Sequence, residues 1–371
     1  MIKMIPVSDP KSQLLPLKES IMEQLMNVFE NGQYILGPNV QQLENKIALR
    51  LGVSDAIGVA SGTDALVLAL EAFGIGKGDE VITTPFTFFA TAEAITRVGA
   101  TPVFVDVDQD TFNINPVCIT EKITSATKAI IPVHLFGQPA DMEAINQIAK
   151  AHRLIVIEDA CQAFGATYRG KEVGSLSDVA CFSFFPTKNL STMGDGGMIT
   201  TSHPEIAKKI RTLRAHGSKQ KYFHHKIGYN SRLDEIHAAI LLICLEHIDK
   251  WNDERIKIAK RYKTALADLK FIKLPKTIDD VKHVYHLFSI ASEKRDHIIN
   301  HLSKKGIQTG IYYPCCLHLQ EAYRELGYEK GDFPVAEKLA ETLFAIPLYP
   351  GLSIQDQDHI IRSIQEFQER L

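Results

Sequence analysis

The sequence predicts an α/β fold. A large domain carries a mostly parallel, roughly seven-stranded sheet covered by helices, and a smaller C-terminal α/β domain follows. Three observations lead there. Short runs rich in Val and Ile alternate with helical segments, as in a sheet buried on both faces. A length of 371 residues exceeds one ordinary domain at about 150 residues each. The texture changes beyond residues 274–276, which divides the chain into residues 1–250 and 251–371.

Each element has its own justification. Leu17, Ile21, Leu25, Val28 and Phe29 form one helical stripe, and the NGQYILG segment with Gly32 and Gly37 ends it around Tyr34. A helix over about 39–50 runs into a strand at 57–60. Ser61-Gly62-Thr63-Asp64 then opens a helix that turns Leu66, Ala69, Leu70 and Phe73 inward. Strands near 80–84 and 102–106 flank a helix at 91–99. AIIPVHLFG, DMEAINQIAKAHR and LIVIED read as strand, helix and strand. VACFSFF (179–185) and GGMITT (196–201) lie close enough to close the sheet, with room for one antiparallel strand. Residues 233–265 read as one long helical region. Beyond it come a strand at 284–291, a helix at 294–305 and a strand at 307–313. A polar helical segment precedes a final helix with Ile360, Ile361, Ile364 and Phe367 on one face.

Composition excludes several classes. Hydrophobic residues at 45% and charged residues at 23% describe a globular chain. Lys plus Arg of 41 against Asp plus Glu of 44 leaves a charge of −3, without the basic footprint of a nucleic-acid binder. Lys3, Pro6, Asp9 and Pro16 interrupt any signal-peptide pattern. The strongest apolar run, 238–245, is far shorter than the roughly 20 residues that span a bilayer. Six scattered cysteines form no CxxC pair. The expectation is a cytoplasmic protein that binds neither nucleic acid nor membrane. No metal is expected: neither the His297/His301 pair nor His224-His225 has a completing ligand. Packing or solvent accounts for His283 and His286.

Three segments could carry chemistry. SGTDAL (61–66) puts a glycine turn before a helix whose first amides have no internal partners, which suits a phosphate. An ordinary N-cap explains those residues equally well. Asp159 ends the apolar strand LIVIED, at the sheet edge that lines ligand crevices in open α/β folds. A carboxylate there favours a protonated ring nitrogen. Capping of the next segment is the alternative, and Glu158 must face the other way. Lys188 lies in a short loop between two apolar strands, where partial desolvation would free its amine to form a Schiff base. Taken alone, a loop lysine is usually a solvated charge. Phosphate cradle, ring carboxylate and lysine in this order suit pyridoxal phosphate, whose protonated ring is an electron sink.

The chain resembles the DegT/StrS family of sugar-nucleotide aminotransferases, which have the aspartate-aminotransferase fold (fold type I). SGTDAL (61–66), PFTFFATAEAI (85–95), VIEDACQAFGA (156–166), SFFPTKNLSTMGDGG (183–197) and GYNSRLDEIHAAIL (228–241) carry the resemblance across nearly the whole length. It implies that Lys188 forms the aldimine with pyridoxal 5'-phosphate, with pyridoxamine phosphate as intermediate, and that Asp159 pairs with the pyridine nitrogen. It implies Phe88 on the ring, Gln162 near the ring hydroxyl, and Gly62, Thr63, Asp64 and Ser183 around the phosphate. Asn230 would reach the phosphate of a neighbouring subunit in a homodimer with shared active sites. Tyr34, Tyr312, Tyr313 and His318 resemble substrate contacts, and Arg232 either acts on a carboxylate or braces the interface. Family dehydratases have histidine in place of the lysine, so Lys188 favours transamination from L-glutamate to a nucleotide-linked 3-keto or 4-keto hexose.

Overall fold

The computed structural model describes residues 4–220 and 222–368, so Lys3 lies outside the described residues. The main sheet uses seven short strands: β1 (Asp55–Val59), β2 (Glu80–Thr83), β3 (Thr101–Phe104), β4 (Thr127–Ile130), β5 (Ile155–Asp159), β6 (Val179–Ser183) and β7 (Gly197–Thr201). Their order is β1-β7-β6-β5-β4-β2-β3. β7 alone runs antiparallel, pairing with both β1 and β6, while β2 to β6 pair in parallel. The strands are buried nearly throughout, so continuous apolar runs rather than alternation encode them.

Helices close both faces. One core joins Leu43, Ile47, Phe182, Phe184, Leu241 and Trp251, and another joins Ile57, Leu66, Leu70, Ile95, Ile199 and Ile210 across the sheet. The helix Gly62–Phe73 is buried on almost every side and lies beneath the strand ends. Burying one such leucine or isoleucine contributes roughly 1.5–3 kcal/mol.

A separate core gathers Tyr262, Phe288, Ile298, Phe344, Ile360 and Ile364, and Ile5 joins it. The helix Ile248–Ala265 serves both sides. Trp251 faces the large core, while Ile258, Ala259 and Tyr262 face the smaller one.

Several elements differ from expectation. The helical region 233–265 is two helices, Glu235–Leu245 and Ile248–Ala265, broken at Glu246 and His247. Only Phe288–Ala291 of the segment 284–291 is a strand. Ahead of it, Tyr285 has φ of +46°, and the carbonyls of Tyr285 and His286 accept from Arg255 instead of a ladder. Residues 307–313 form isolated bridges at Ile307 and Gly310. The strand that pairs with Phe288–Ala291 is Leu343–Ile346, a buried LFAI run whose length cannot separate strand from helix. A helix at Pro204–Leu213 follows β7 and was not foreseen.

Candidate active site

The carboxyl ends of β5 and β6 open onto a cavity of about 450 Å³. Asp159 closes β5 and is buried, with Oδ2 accepting from the Thr91 hydroxyl at 2.7 Å and Oδ1 from the Cys161 amide at 3.2 Å. Thr87 continues this chain to Thr91 at 3.1 Å. Glu158 points to the opposite face, as strand alternation requires. It accepts there from Gly174, Leu176 and Ser177 and pairs with His134 at 3.0 Å.

Ser61 caps the helix Gly62–Phe73, its hydroxyl accepting from the Asp64 amide at 3.1 Å. The N-cap and the cradle therefore coexist, because Ser61, Gly62 and Thr63 all line the cavity. Asp64 does not line it, and its amide is already engaged by Ser61. Gly62 permits a close approach. A Cβ there would stand 2.7 Å from the Ser183 Cβ and 2.8 Å from the Cys161 Sγ.

Lys188 follows β6 on the loop to β7, and its amine enters the same cavity. Burial pulls its pKa below the usual lysine value, opposed by the nearby Cys161 and Asp159. A greater fraction of the amine is therefore uncharged than on an exposed lysine. Asn189 anchors the loop, donating to Asn252 at 2.7 Å and to the Val284 carbonyl at 3.0 Å.

Residues 286–287 and 312–313 supply the facing wall. Tyr312, Tyr313, His286 and Leu287 line it, and Phe88 stands at 6.1 Å from the Tyr313 ring. Gln162 donates to the Tyr313 hydroxyl at 3.0 Å and accepts from the Phe136 amide at 2.8 Å.

Gly62, Thr63, Phe88, Asp159, Gln162, Ser183, Lys188, Tyr312 and Tyr313 thus meet in one cavity. Tyr34 and Asn230 are exposed and do not line it. His318 does not line the cavity. Its ring is buried against Phe333 at 4.7 Å and bonded to Glu337 at 3.1 Å, so it faces a packed interior. Sequence reasoning missed Thr87, Thr91 and His286. A hydroxyl one helical turn after another, Thr87 to Thr91, was the available signal for the first two. His286 sits in irregular backbone and gave none.

These residues fit pyridoxal phosphate. A glycine leaves room beside hydroxyls and helix-start amides, a buried carboxylate faces the cavity, and a desolvated amine lies within it. A doubly covered, mostly parallel sheet with this lysine at its carboxyl edge is the plan of fold-type-I enzymes, and the molecule is a pyridoxal-phosphate-dependent aminotransferase of that class. The chain belongs to the DegT/DnrJ/EryC1/StrS aminotransferase family, whose profile matches residues 16–365.

It is 50% identical to the pleiotropic regulatory protein of Geobacillus stearothermophilus, over 98% of each chain. It is 42% identical to the dTDP-3-amino-3,4,6-trideoxy-alpha-D-glucose transaminase of Streptomyces venezuelae, covering 99% of this chain and 97% of the other. The crystal structure of S. venezuelae DesV in complex with a ketimine intermediate superposes with a TM-score of 0.98 at 42% identity, covering both chains fully. Four relatives at 42–46% identity have names that put an amino or oxo group at carbon 3 of a dTDP- or UDP-linked sugar.

Proposed function

We propose that the enzyme moves the amino group of L-glutamate to carbon 3 of a nucleotide-linked keto-hexose. The observation that carries the reading is the Lys188 amine, desolvated and enclosed with Asp159 in one cavity. The carbon-3 names of four relatives support the choice of carbon over the 4-keto alternative.

Pyridoxal phosphate, when bound, supplies an aldehyde that condenses with amines and a ring that takes up electrons from a broken C–H bond. Ser61, Gly62, Thr63 and Ser183 hold its phosphate through hydroxyls and helix-start amides. Asp159 would pair with the ring nitrogen, with Thr91 and the Cys161 amide fixing the orientation of its carboxylate. Phe88 would cover the ring, and Gln162 would serve its hydroxyl. With the cofactor bound, the Lys188 amine would take the proton from the donor's α-carbon and return one to the cofactor's aldehyde-derived carbon, and would act in reverse for the sugar. Its lowered pKa makes the free base available without strongly alkaline solution. Tyr312 and Tyr313 contact the sugar nucleotide.

In the same reading a second copy covers the apolar face formed by Met22, Met26, Phe29, Ile35 and Leu36, all 40–69% exposed. Asn230 and Tyr34 then serve the cavity of that copy. Residues 1–250 bind the cofactor and 251–371 help close the site. The enzyme works in the cytoplasm, consistent with its six free cysteines. Among the described residues no helix is long and apolar enough to cross a membrane.

Incubation with L-glutamate and a dTDP- or UDP-linked 3-keto hexose should yield 2-oxoglutarate and an amino sugar one nitrogen richer by mass spectrometry. Exclusive use of 4-keto sugars would overturn the carbon assignment. A protein that retains its cofactor yet transfers no nitrogen would instead be a regulator, as the name of the Geobacillus relative describes.

A further inference from the structure

The smaller domain's wall holds a charge arrangement that the reaction above leaves unused. His286 is 8% exposed and lines the cavity, within electrostatic reach of Lys188. Its Nδ1 is enclosed without a hydrogen-bond partner, and no described residue hydrogen-bonds to the ring. Burial, Lys188 and Arg255 all press the ring toward its neutral form. A neutral imidazole still has one N–H to give, and here no protein group takes it.

Directly behind it lies Arg255, 2% exposed. Its Nη1 donates to the carbonyls of Tyr285, His286 and Leu348 at 3.2–3.4 Å, and its Nε has no partner. Among the described residues no carboxylate pairs with it, and burial alone pulls its pKa down to about 10. A buried cation without a counter-ion is costly. An anion arriving in the cavity would relieve that cost.

The backbone holds His286 in register with Lys188. Asn189, next to the lysine, donates to the Val284 carbonyl, and the Val284 amide donates to Gly137 at 3.0 Å. A Cβ at Gly137 would stand 2.9 Å from the His286 nitrogen, so glycine lets the two segments meet. The opposite wall is unsuited to a substrate carboxylate, since Asp159 repels it and the hydroxyl cradle is committed to phosphate.

We propose that His286 gives its N–H to the carboxylate of the amino-acid donor, with the buried Arg255 beneath it supplying the positive field. The inference rests on the reading that an amino acid is the nitrogen source.

The test uses the holoenzyme and the variants His286→Leu and His286→Asn, with thermal melting and cofactor absorbance confirming that each is folded and loaded. Calorimetry measures the Kd of glutarate, which has the carboxylates but no amine. Rapid mixing follows each half-reaction separately. His286→Leu should weaken glutarate and glutamate binding about tenfold or more, the loss of one hydrogen bond to a charged group. His286→Asn, which keeps an N–H, should recover much of that loss. The sugar-nucleotide half-reaction should stay within about twofold of wild type. Unchanged glutarate affinity in His286→Leu, or equal losses toward both substrates, would overturn the inference. A wild-type enzyme inert toward every amino acid would remove the nitrogen-source reading and this inference together.

Discussion

The two walls of the cavity are built differently. The wall from the large domain sits on strand ends and a helix start: Asp159 on β5, Ser183 on β6, Ser61 to Thr63 at a helix N-terminus. The wall from the smaller domain sits on irregular backbone at 284–287 and 312–313, held by side chains such as Arg255 and Gln162. On the proposed function, the first wall would hold reacting groups at element ends and the second would shape the grip on the substrate. Substitutions in the first should therefore lower kcat, and substitutions in the second should raise KM.

The largest effect expected is at Lys188. Lys188→Ala removes the only lysine among the described residues that line the cavity and should abolish turnover while the fold and phosphate cradle persist, as followed by steady-state rates and circular dichroism. Retained turnover would erase the distinction between the walls. Asp159→Asn keeps the shape and the Thr91 bond but loses the charge. It should lower kcat on the order of 10²–10³-fold with KM little changed, a size typical of losing one electrostatic stabiliser.

Gly62→Ala forces a Cβ against Ser183 and Cys161 and should cost about 1–3 kcal/mol, seen as weaker cofactor retention on dialysis and a lower Tm. Acid should act on the second wall first. Burial pulls His283 down to about 3, and it stacks on Tyr285 at 3.8 Å. The unfolded chain takes up that proton below about pH 6.5 and the folded one does not. Stability is present above that pH and falls by about 1.4 kcal/mol per unit as the solution is acidified toward pH 3. Urea titrations at pH 6.5 and 5 should show a shallower decline in His283→Gln. The smallest functional effect is expected at His318. His318→Ala breaks the bond to Glu337 and should lower stability by about 1–3 kcal/mol with KM unchanged, since the ring is outside the cavity.

The same contrast explains what the sequence disclosed. SGTDAL, LIVIED and the Lys188 loop each join a periodic element to a polar residue at its end, so periodicity itself locates the chemistry. Glu158 could be set aside by alternation alone. His286 precedes its strand by two residues, in backbone that Arg255 and a left-handed Tyr285 pull out of the ladder, and no local pattern predicts that. Leu343–Ile346 escaped for another reason: a fully buried strand has no polar face to mark it. His318 carries a chemically apt side chain, but its direction is decided by contacts distant in sequence, such as those to Phe333 and Glu337.

The Ser12 hydroxyl donates to the Pro350 carbonyl at 2.7 Å, across 338 positions of chain. Ile5 likewise joins the core of the smaller domain. During synthesis the seven strands of the main sheet are complete once Thr201 has emerged, whereas the smaller core must wait for Ile364 and Phe367. The cofactor half can thus gather while its partner segments are still being made. A cut at 250 would leave the later fragment without the piece that residues 5 to 12 supply. Two fragments expressed apart should recover the second core only when mixed.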